Sequence, residues 1–304
     1  MSELILHHYP MSPFSEKIRA MLGYAGLNWQ SVSVREMPPR PKLEALTGGY
    51  RKIPVGQIGA DVFCDTSSIA REIAALANKP ELVLEDCSEE VQAFVREADL
   101  EVFLACVISA SGPRMLVKLA RSTSMLNTFR FLKDRIAIGR KARVQPMGPK
   151  QARQKLEGHL RRMEQMLEKD FLFGESPCVA DFAAYHGLWY VRDLAEKPVI
   201  RAYPRVNAWM DRIKGFGHGN ETPLGADEAL GRARDNEPRP LPESTDEPRL
   251  GGTVSIAPDD YAREPVAGTL VAATGYGWII RRETPDLGTL HVHLPRRGYV
   301  LQED

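Results

Sequence analysis

The chain has 304 residues, more than the ~100–200 of one typical domain, so two or three domains are expected. Its 40 basic residues balance 40 acidic residues, which argues against nucleic acid or an acidic membrane surface as the main partner. Hydrophobic residues make up 43% of the chain, enough for a real core, and no stretch approaches the ~18 apolar residues of a membrane span.

The cysteines and the chain start both favour a reducing compartment. The four cysteines are Cys64, Cys87, Cys106 and Cys178. They form no CxxC pair and have no metal-ligand spacing, so we interpret them as reduced thiols. Residues 1–6 lack the basic region of a signal peptide, and their apolar run stops at His7. We therefore expect a cytoplasmic protein without a membrane anchor.

The first 80 residues alternate between strand and helix patterns. Strands are predicted over residues 4–6, 29–34, 55–58 and 62–64. Helices are predicted over residues 13–25, 41–46 and 66–77. Gly26 stands where a glycine commonly ends a helix, and Asp65 or Thr66 can cap the last of these helices. This order predicts a small α/β domain over residues 1–80.

Residues 88–218 have helical periodicity. Ser88 precedes an amphipathic segment, a basic helical stretch follows over roughly 114–142, and Pro149 opens another helix. Two more helices are predicted, an apolar one over 177–195 and a last one that begins at Pro204. This region is therefore predicted to be an all-α domain.

The rest of the chain divides into two segments. Residues 219–250 are rich in proline and poor in large aliphatic residues, which predicts a linker with little packing of its own. Short β-patterned runs then predict a small β-module over residues 251–304. A module of this size is marginal for independent folding, so we expect it to pack against the helical domain or a second subunit.

One motif of the β-module has the residue types of a metal site. His291 and His293 would lie on one face of a strand, as two ligands of a metal ion would. No third ligand stands out in the sequence. The preferred interpretation is a half-exposed strand, and no metal is expected.

The turn between the first strand and the first helix carries Ser12-Pro13-Phe14-Ser15. Serine before proline is a favoured helix start, so capping alone would explain Ser12. The same helix start would also stabilise a bound thiolate through its free amides and its dipole. Ionising a thiol of pKa about 8.5 at neutral pH takes a shift of roughly 2 units, or about 2.7 kcal/mol. One hydroxyl hydrogen bond to the charged sulfur contributes roughly 1.5–3 kcal/mol, so one serine could suffice.

This turn resembles that of the serine-type cytosolic glutathione transferases, which combine a thioredoxin-like N-terminal domain with an all-α helical bundle. Loss of both cysteines of the thioredoxin CxxC motif argues against dithiol–disulfide exchange. The resemblance implies that Ser12 activates the sulfur of glutathione. Tyr9 is the alternative, because tyrosine-type members keep a catalytic phenol at the end of the first strand. Ser15 is a further alternative.

Two more segments resemble glutathione-binding residues of that family. Lys52-Ile53-Pro54-Val55 resembles its Lys-Val-Pro segment, in which a cis proline exposes the preceding backbone to the cysteinyl part of glutathione. Asp65-Thr66-Ser67-Ser68-Ile69 resembles its Glu-Ser-x-Ala-Ile segment. The resemblance implies that Asp65 pairs with the α-ammonium, that Thr66 and the helix amides hold the α-carboxylate, and that Lys52 reaches a carboxylate. Taken alone, Asp65 and Thr66 are explained by capping, and Lys52 by solvent exposure.

The resemblance continues to about residue 216 and leaves the β-module outside the family pattern. Cys178-Val179-Ala180-Asp181 resembles the family's capping box, in which Asp181 bonds back to the helix start. The implied function is attack of the glutathione thiolate, as co-substrate, on a small hydrophobic electrophile, in a homodimer. The alternatives are a non-catalytic binding or scaffold protein of the same fold, and a glutathione-dependent isomerase or dehalogenase.

Overall fold

The computed structural model describes residues 3–122, 128–130, 133–134 and 147–303. Its strands are β1 (Leu4–His8), β2 (Asn28–Ser33), β3 (Val55–Ile58), β4 (Asp61–Cys64), β5 (Asn220–Pro223), β6 (Thr253–Pro258), β7 (Val266–Ala273), β8 (Gly277–Thr284), β9 (Gly288–Pro295) and β10 (Tyr299–Glu303). Its α-helices are α1 (Pro13–Ala25), α2 (Pro41–Thr47), α3 (Thr66–Ala77), α4 (Glu89–Glu97), α5 (Phe103–Ala110), α6 (Pro113–Ser122), α7 (Pro149–Met166), α8 (Val179–Trp189), α9 (Pro204–Gly215) and α10 (Ala226–Arg234).

The N-terminal part is a thioredoxin-like α/β unit, as predicted. Strand β1 pairs in parallel with β2 and antiparallel with β3, and β3 pairs antiparallel with β4. Helix α1 begins after Ser12, whose Oγ accepts a hydrogen bond from the Ser15 amide at 3.2 Å. It ends at Gly26, whose φ of 63° is left-handed and favours glycine. The apolar faces of α1 and α3 share one core with the helical domain.

The all-α domain packs against α1, and α8 is buried along most of its length. Helices α4 and α5 are joined by a π-helical segment, Ala98–Val102, which contains Asp99. Such segments are frequent near functional sites. Of the basic helix predicted over 114–142, α6 forms the first part, and residues 123–127, 131–132 and 135–146 lie outside the described residues. Among the helices that the structure describes, none is long and apolar enough to cross a membrane.

The C-terminal strands extend the thioredoxin-like sheet. Strand β9 pairs in parallel with β4, giving the order β10-β6-β7-β8-β9-β4-β3-β1-β2-β5. The prediction that these strands lean on the helical domain or a second subunit therefore missed their main attachment. An unpaired β4 edge would leave backbone amides and carbonyls without partners, and β9 supplies those partners.

The segment 219–250 packs more closely than a linker. Strand β5 pairs in parallel with β2, at the other edge of the sheet. Helix α10 buries Ala229 and Ala233, and the Ala229 carbonyl accepts a hydrogen bond from Gln57 Nε2 at 2.8 Å. The expectation of little packing is wrong for residues 220–234, because backbone pairing and small alanines add contacts to those of Leu224 and Leu230.

Asp61 is the polar centre of the junction between β4 and β9. Its carboxylate, 1% exposed, accepts hydrogen bonds from His293 Nε2 at 2.7 Å and from the Arg239 backbone amide at 2.9 Å. Burial raises the pKa of Asp61, but His293 and Arg239 outweigh that effect and hold it below its ordinary value of 3.8. His293 therefore serves the junction. Across the described residues, no group of three or more acidic, histidine or cysteine side chains could hold a metal.

Replacing Asp61 by Asn is expected to lower the free energy of unfolding by about 1–3 kcal/mol at neutral pH, because an amide is a poorer acceptor for two buried donors. A depressed carboxyl pKa contributes stability above the unfolded-state value of 3.8, and that contribution is lost as pH falls through the folded-state value. The difference between the two proteins should therefore shrink below about pH 4. Urea unfolding at neutral and acidic pH measures it, and a difference independent of pH would contradict this account.

Candidate functional site

A cavity of about 90 Å³ lies where the thioredoxin-like domain, the helical domain and the C-terminal strands meet. All five residues predicted to bind glutathione line it, namely Lys52, Ile53, Pro54, Asp65 and Thr66. The first three precede β3, and the last two join β4 to α3. The Ile53–Pro54 bond is cis, as the family resemblance implied. The fold therefore brings two separate sequence segments to one place.

Asp65 both caps α3 and faces the cavity. Its Oδ1 accepts hydrogen bonds from the amide and the hydroxyl of Ser67, each at 3.0 Å. Its Oδ2 accepts a hydrogen bond from the Tyr299 hydroxyl, also at 3.0 Å. Capping and ligand binding were alternatives in the sequence. The structure gives the capping role to Oδ1, while Oδ2 bonds to the Tyr299 hydroxyl of β10.

Lys52 is not a solvated surface lysine. Its side chain is 11% exposed, and its Nζ lies 2.7 Å from Asp260 Oδ1. The same ammonium lies 4.2 Å from the centre of the Tyr261 ring, a cation–π contact. Asp260 and Tyr261 also line the cavity. Sequence reasoning missed both residues, because nothing in their pattern connects the β-module to the N-terminal domain.

The candidate catalytic residues Tyr9, Ser12 and Ser15 lie at and just before the start of α1, where Phe14 lines the cavity and these three do not. Ser12 is 2% exposed and caps the helix. Tyr9 is half-buried, and its carbonyl accepts a hydrogen bond from the Ser12 amide at 3.2 Å. Ser15 is fully buried, and among the described residues its hydroxyl has no hydrogen-bond partner. All three lie in one turn, and Ser12 is the one at the helix N-terminus.

Asp99, from the π-helical segment, brings a negative charge to the cavity wall. Its carboxylate pairs with Lys17 Nζ at 2.8 Å and with His186 Nε2 at 3.0 Å. Burial raises the pKa of Asp99, but Lys17 and His186 outweigh this and lower it, so the group is ionised at neutral pH. Burial lowers the pKa of His186 more than Asp99 raises it, so the imidazole is neutral and donates from Nε2. Lys17 and His186 carried a sequence signal, as polar residues in apolar helix patterns, but Asp99 did not.

A second cavity of about 150 Å³ adjoins the first. The two share Lys52, Asp65, Thr66 and Asp99 in their walls. The second one is also lined by apolar side chains of the helical domain and by charged residues of the C-terminal strands. Together the cavities form a cleft along the start of α3, which both apolar and charged side chains line.

Comparison with known proteins identifies the family to which this fold belongs. A family model described as "Glutathione S-transferase, N-terminal domain" matches residues 6–81, and one described as "Glutathione S-transferase, C-terminal domain" matches residues 124–212. A solved structure, a GST-like protein from Pseudomonas syringae, is 36% identical and superposes with a TM-score of 0.82. That match covers 100% of both chains, so the C-terminal strands are part of the shared architecture.

Two further proteins with lower identity match about 70% of this chain. Each match covers most of the other protein's own length. FtsZ-localized protein A from Caulobacter vibrioides is 25% identical over 230 residues, which are 70% of this chain and 87% of that protein. A glutathione transferase family member from Pseudomonas fluorescens, solved with two glutathione molecules bound, is 14% identical with a TM-score of 0.49, and the match covers 70% and 89%. From the two domain matches and the full-length relative, the chain belongs to the glutathione S-transferase family.

Proposed function

We propose that this protein binds glutathione in the cleft and activates its thiol from Ser12 for attack on a small hydrophobic electrophile. One observation supports the proposal above all. Side chains from two separate segments, each predicted from its sequence to hold one part of glutathione, line a single cavity next to the start of α1. Family membership alone would support the fold, but it would not identify which residues bind a ligand.

Individual polar groups of the cavity can match the two carboxylates and one ammonium of a tripeptide. Lys52 offers a cation for one carboxylate, and the amides at the start of α3 offer donors for the other. Asp65 lines the cavity, and its Oδ2 can accept an ammonium beside the Tyr299 hydroxyl. Ile53 lines the cavity, and the resemblance to the family's Lys-Val-Pro segment implies that its backbone pairs with the cysteinyl part of glutathione.

The Ser12 hydroxyl can cap α1 and activate a thiol at the same time. A hydroxyl has one proton to donate and two lone pairs to accept with. Capping uses a lone pair, which accepts from the Ser15 amide. The proton stays available for a sulfur anion, which the positive end of α1 also stabilises. Tyr9 and Ser15 stay alternatives that the mutants described in the Discussion separate.

A non-catalytic binding protein is the second candidate, and the state of the site favours it. Lys52 and Asp65 already have partners from the C-terminal strands, and Ser12 is 2% exposed. One relative is named for its localisation with FtsZ, and that name records no reaction. A glutathione-dependent isomerase or dehalogenase would use the same thiolate with a different electrophile. The cytoplasmic location and the homodimer also stay proposals, and sedimentation velocity tests the second.

Replacing Asp65 by Ala is expected to abolish retention on immobilised glutathione, because the partner of the α-ammonium is lost. In calorimetry the affinity should fall at least about tenfold, as for loss of one charge-assisted hydrogen bond. Ser67→Ala is the matched control, because it removes a neighbouring hydroxyl and keeps the carboxylate. Equal retention of wild type and Asp65→Ala would refute the assignment. Conjugation of chlorodinitrobenzene by the wild type then separates an enzyme from a binding protein.

A further inference from the structure

The loop between β6 and β7 supplies a negative charge to the glutathione site. This loop, residues 259–265, has no regular secondary structure. Its Asp260 carboxylate lies 2.7 Å from Lys52 Nζ, and the Tyr261 ring covers the same ammonium. Farther along the loop, Glu264 pairs with Arg51 at 3.0 Å. Side-chain ion pairs to Arg51 and Lys52, neighbours in sequence, thus hold the loop over the cavity.

The proposed function assigns Lys52 to a carboxylate of glutathione, and Asp260 is itself a carboxylate. Lys52 has three N–H donors but one positive charge, which Asp260 already neutralises, so the two carboxylates compete for that charge. Space is also short. The two adjoining cavities, of about 90 Å³ and about 150 Å³, together stay below the roughly 300–1,000 Å³ of ordinary ligand sites. With the loop in this position, Asp260 occupies the ammonium that would bind a glutathione carboxylate. The cleft also leaves little space for a tripeptide.

Backbone ladders hold the C-terminal strands, whereas side-chain ion pairs hold loop 259–265 to Arg51 and Lys52, so we take the loop as the part that moves. Tyr299 begins β10 and is 8% exposed, and its hydroxyl bonds to Tyr50 at 2.8 Å and to Asp65 at 3.0 Å. Asp65 Oδ2 can accept a second hydrogen bond beside that of Tyr299, because a carboxylate oxygen has two lone pairs. Asp65 therefore keeps an acceptor for the ammonium of glutathione, and the conflict lies at the Lys52 end.

We propose that Asp260 is a built-in competitor of glutathione, and that loop 259–265 swings off Lys52 before glutathione binds. This inference rests on the proposed function, since it takes Lys52 as a glutathione contact. The protein then has two states. In the closed state Asp260 pairs with Lys52, and in the open state Lys52 is available to glutathione. The measured dissociation constant is the intrinsic one divided by the open fraction, so any change that favours the open state tightens binding.

Replacing Asp260 by Ala is expected to tighten glutathione binding about tenfold or more in calorimetry, as for a closed state that holds most of the molecules. Asp260→Glu, which keeps the carboxylate, should bind more like wild type. Asp286→Asn is the matched control, because Asp286 is an exposed acid in the turn between β8 and β9. Equal or weaker binding by Asp260→Ala would overturn the competition. If neither protein binds glutathione, the proposed function fails, and this inference fails with it.

Limited trypsin digestion of the wild-type protein gives a second measurement that does not depend on a mutation. Arg263 is exposed within the loop, and the residue that follows it is not proline. Trypsin can therefore cut after Arg263 once the loop is free. Competition predicts that cleavage after Arg263 accelerates as glutathione is added, over the same concentrations that saturate binding. Protection of Arg263 by glutathione would mean that the loop closes over the ligand, and would overturn the proposal.

Discussion

Ser12→Ala is expected to lower kcat/KM for glutathione conjugation about a hundredfold, because the bound thiol loses a hydrogen bond that lowers its pKa by roughly 2 units. The same change removes a helix cap, which costs about 1 kcal/mol of stability. A direct readout is the pH dependence of thiolate absorbance in the complex with glutathione. The midpoint should move up towards the value of free glutathione, while glutathione affinity falls much less than the rate.

Two control variants separate Ser12 from its neighbours. Tyr9→Phe removes the phenol hydroxyl and should keep most of the activity. Ser15→Ala removes a buried hydroxyl that has no partner among the described residues, and it leaves the amide that Ser12 accepts from. Thermal unfolding of all three variants corrects for the lost cap. If Tyr9→Phe collapses the rate and Ser12→Ala does not, the catalytic role belongs to Tyr9.

Asp181→Ala is expected to destabilise the helical domain by at least about 3 kcal/mol, because three donors lose their buried acceptor at about 1–3 kcal/mol each. The Asp181 carboxylate, 0% exposed, accepts from Trp209 Nε1 at 2.8 Å and from the amides of Leu172 at 3.0 Å and Cys178 at 2.9 Å. It thereby connects α8, α9 and the segment before α8. Urea unfolding followed by tryptophan fluorescence measures the loss.

Asp170→Ala is the control for that measurement. Asp170 is an acid of the same domain with a side chain 64% exposed, and it lies 3.8 Å from Arg212. Exposed pairs of this kind contribute about 0–1 kcal/mol, so the change should be small. A loss for Asp181→Ala as small as that of Asp170→Ala would mean that the three donors find other partners.

Local sequence features predicted the elements around the site. Ser12 before Pro13 fixed the start of α1, and Gly26 marked its end. Asp181 three residues after Cys178 predicted the hydrogen bond to the helix start, and the structure confirms it. These predictions succeed because capping and turn conformations depend on neighbouring residues, whose contacts need no knowledge of the rest of the fold.

The sequence by itself therefore determined the thioredoxin-like and helical units and the two segments that line the cavity. The tertiary structure alone decided that β9 joins β4, that Asp99 reaches the cavity and that Asp260 lies on Lys52. Each of these contacts joins residues far apart in the chain. Hydrophobic periodicity and motif spacing are local, so they do not predict which distant residues come into contact. Hydrogen bonding at the unpaired β4 edge stabilises the contact with β9, and charge attraction stabilises the contact between Asp260 and Lys52.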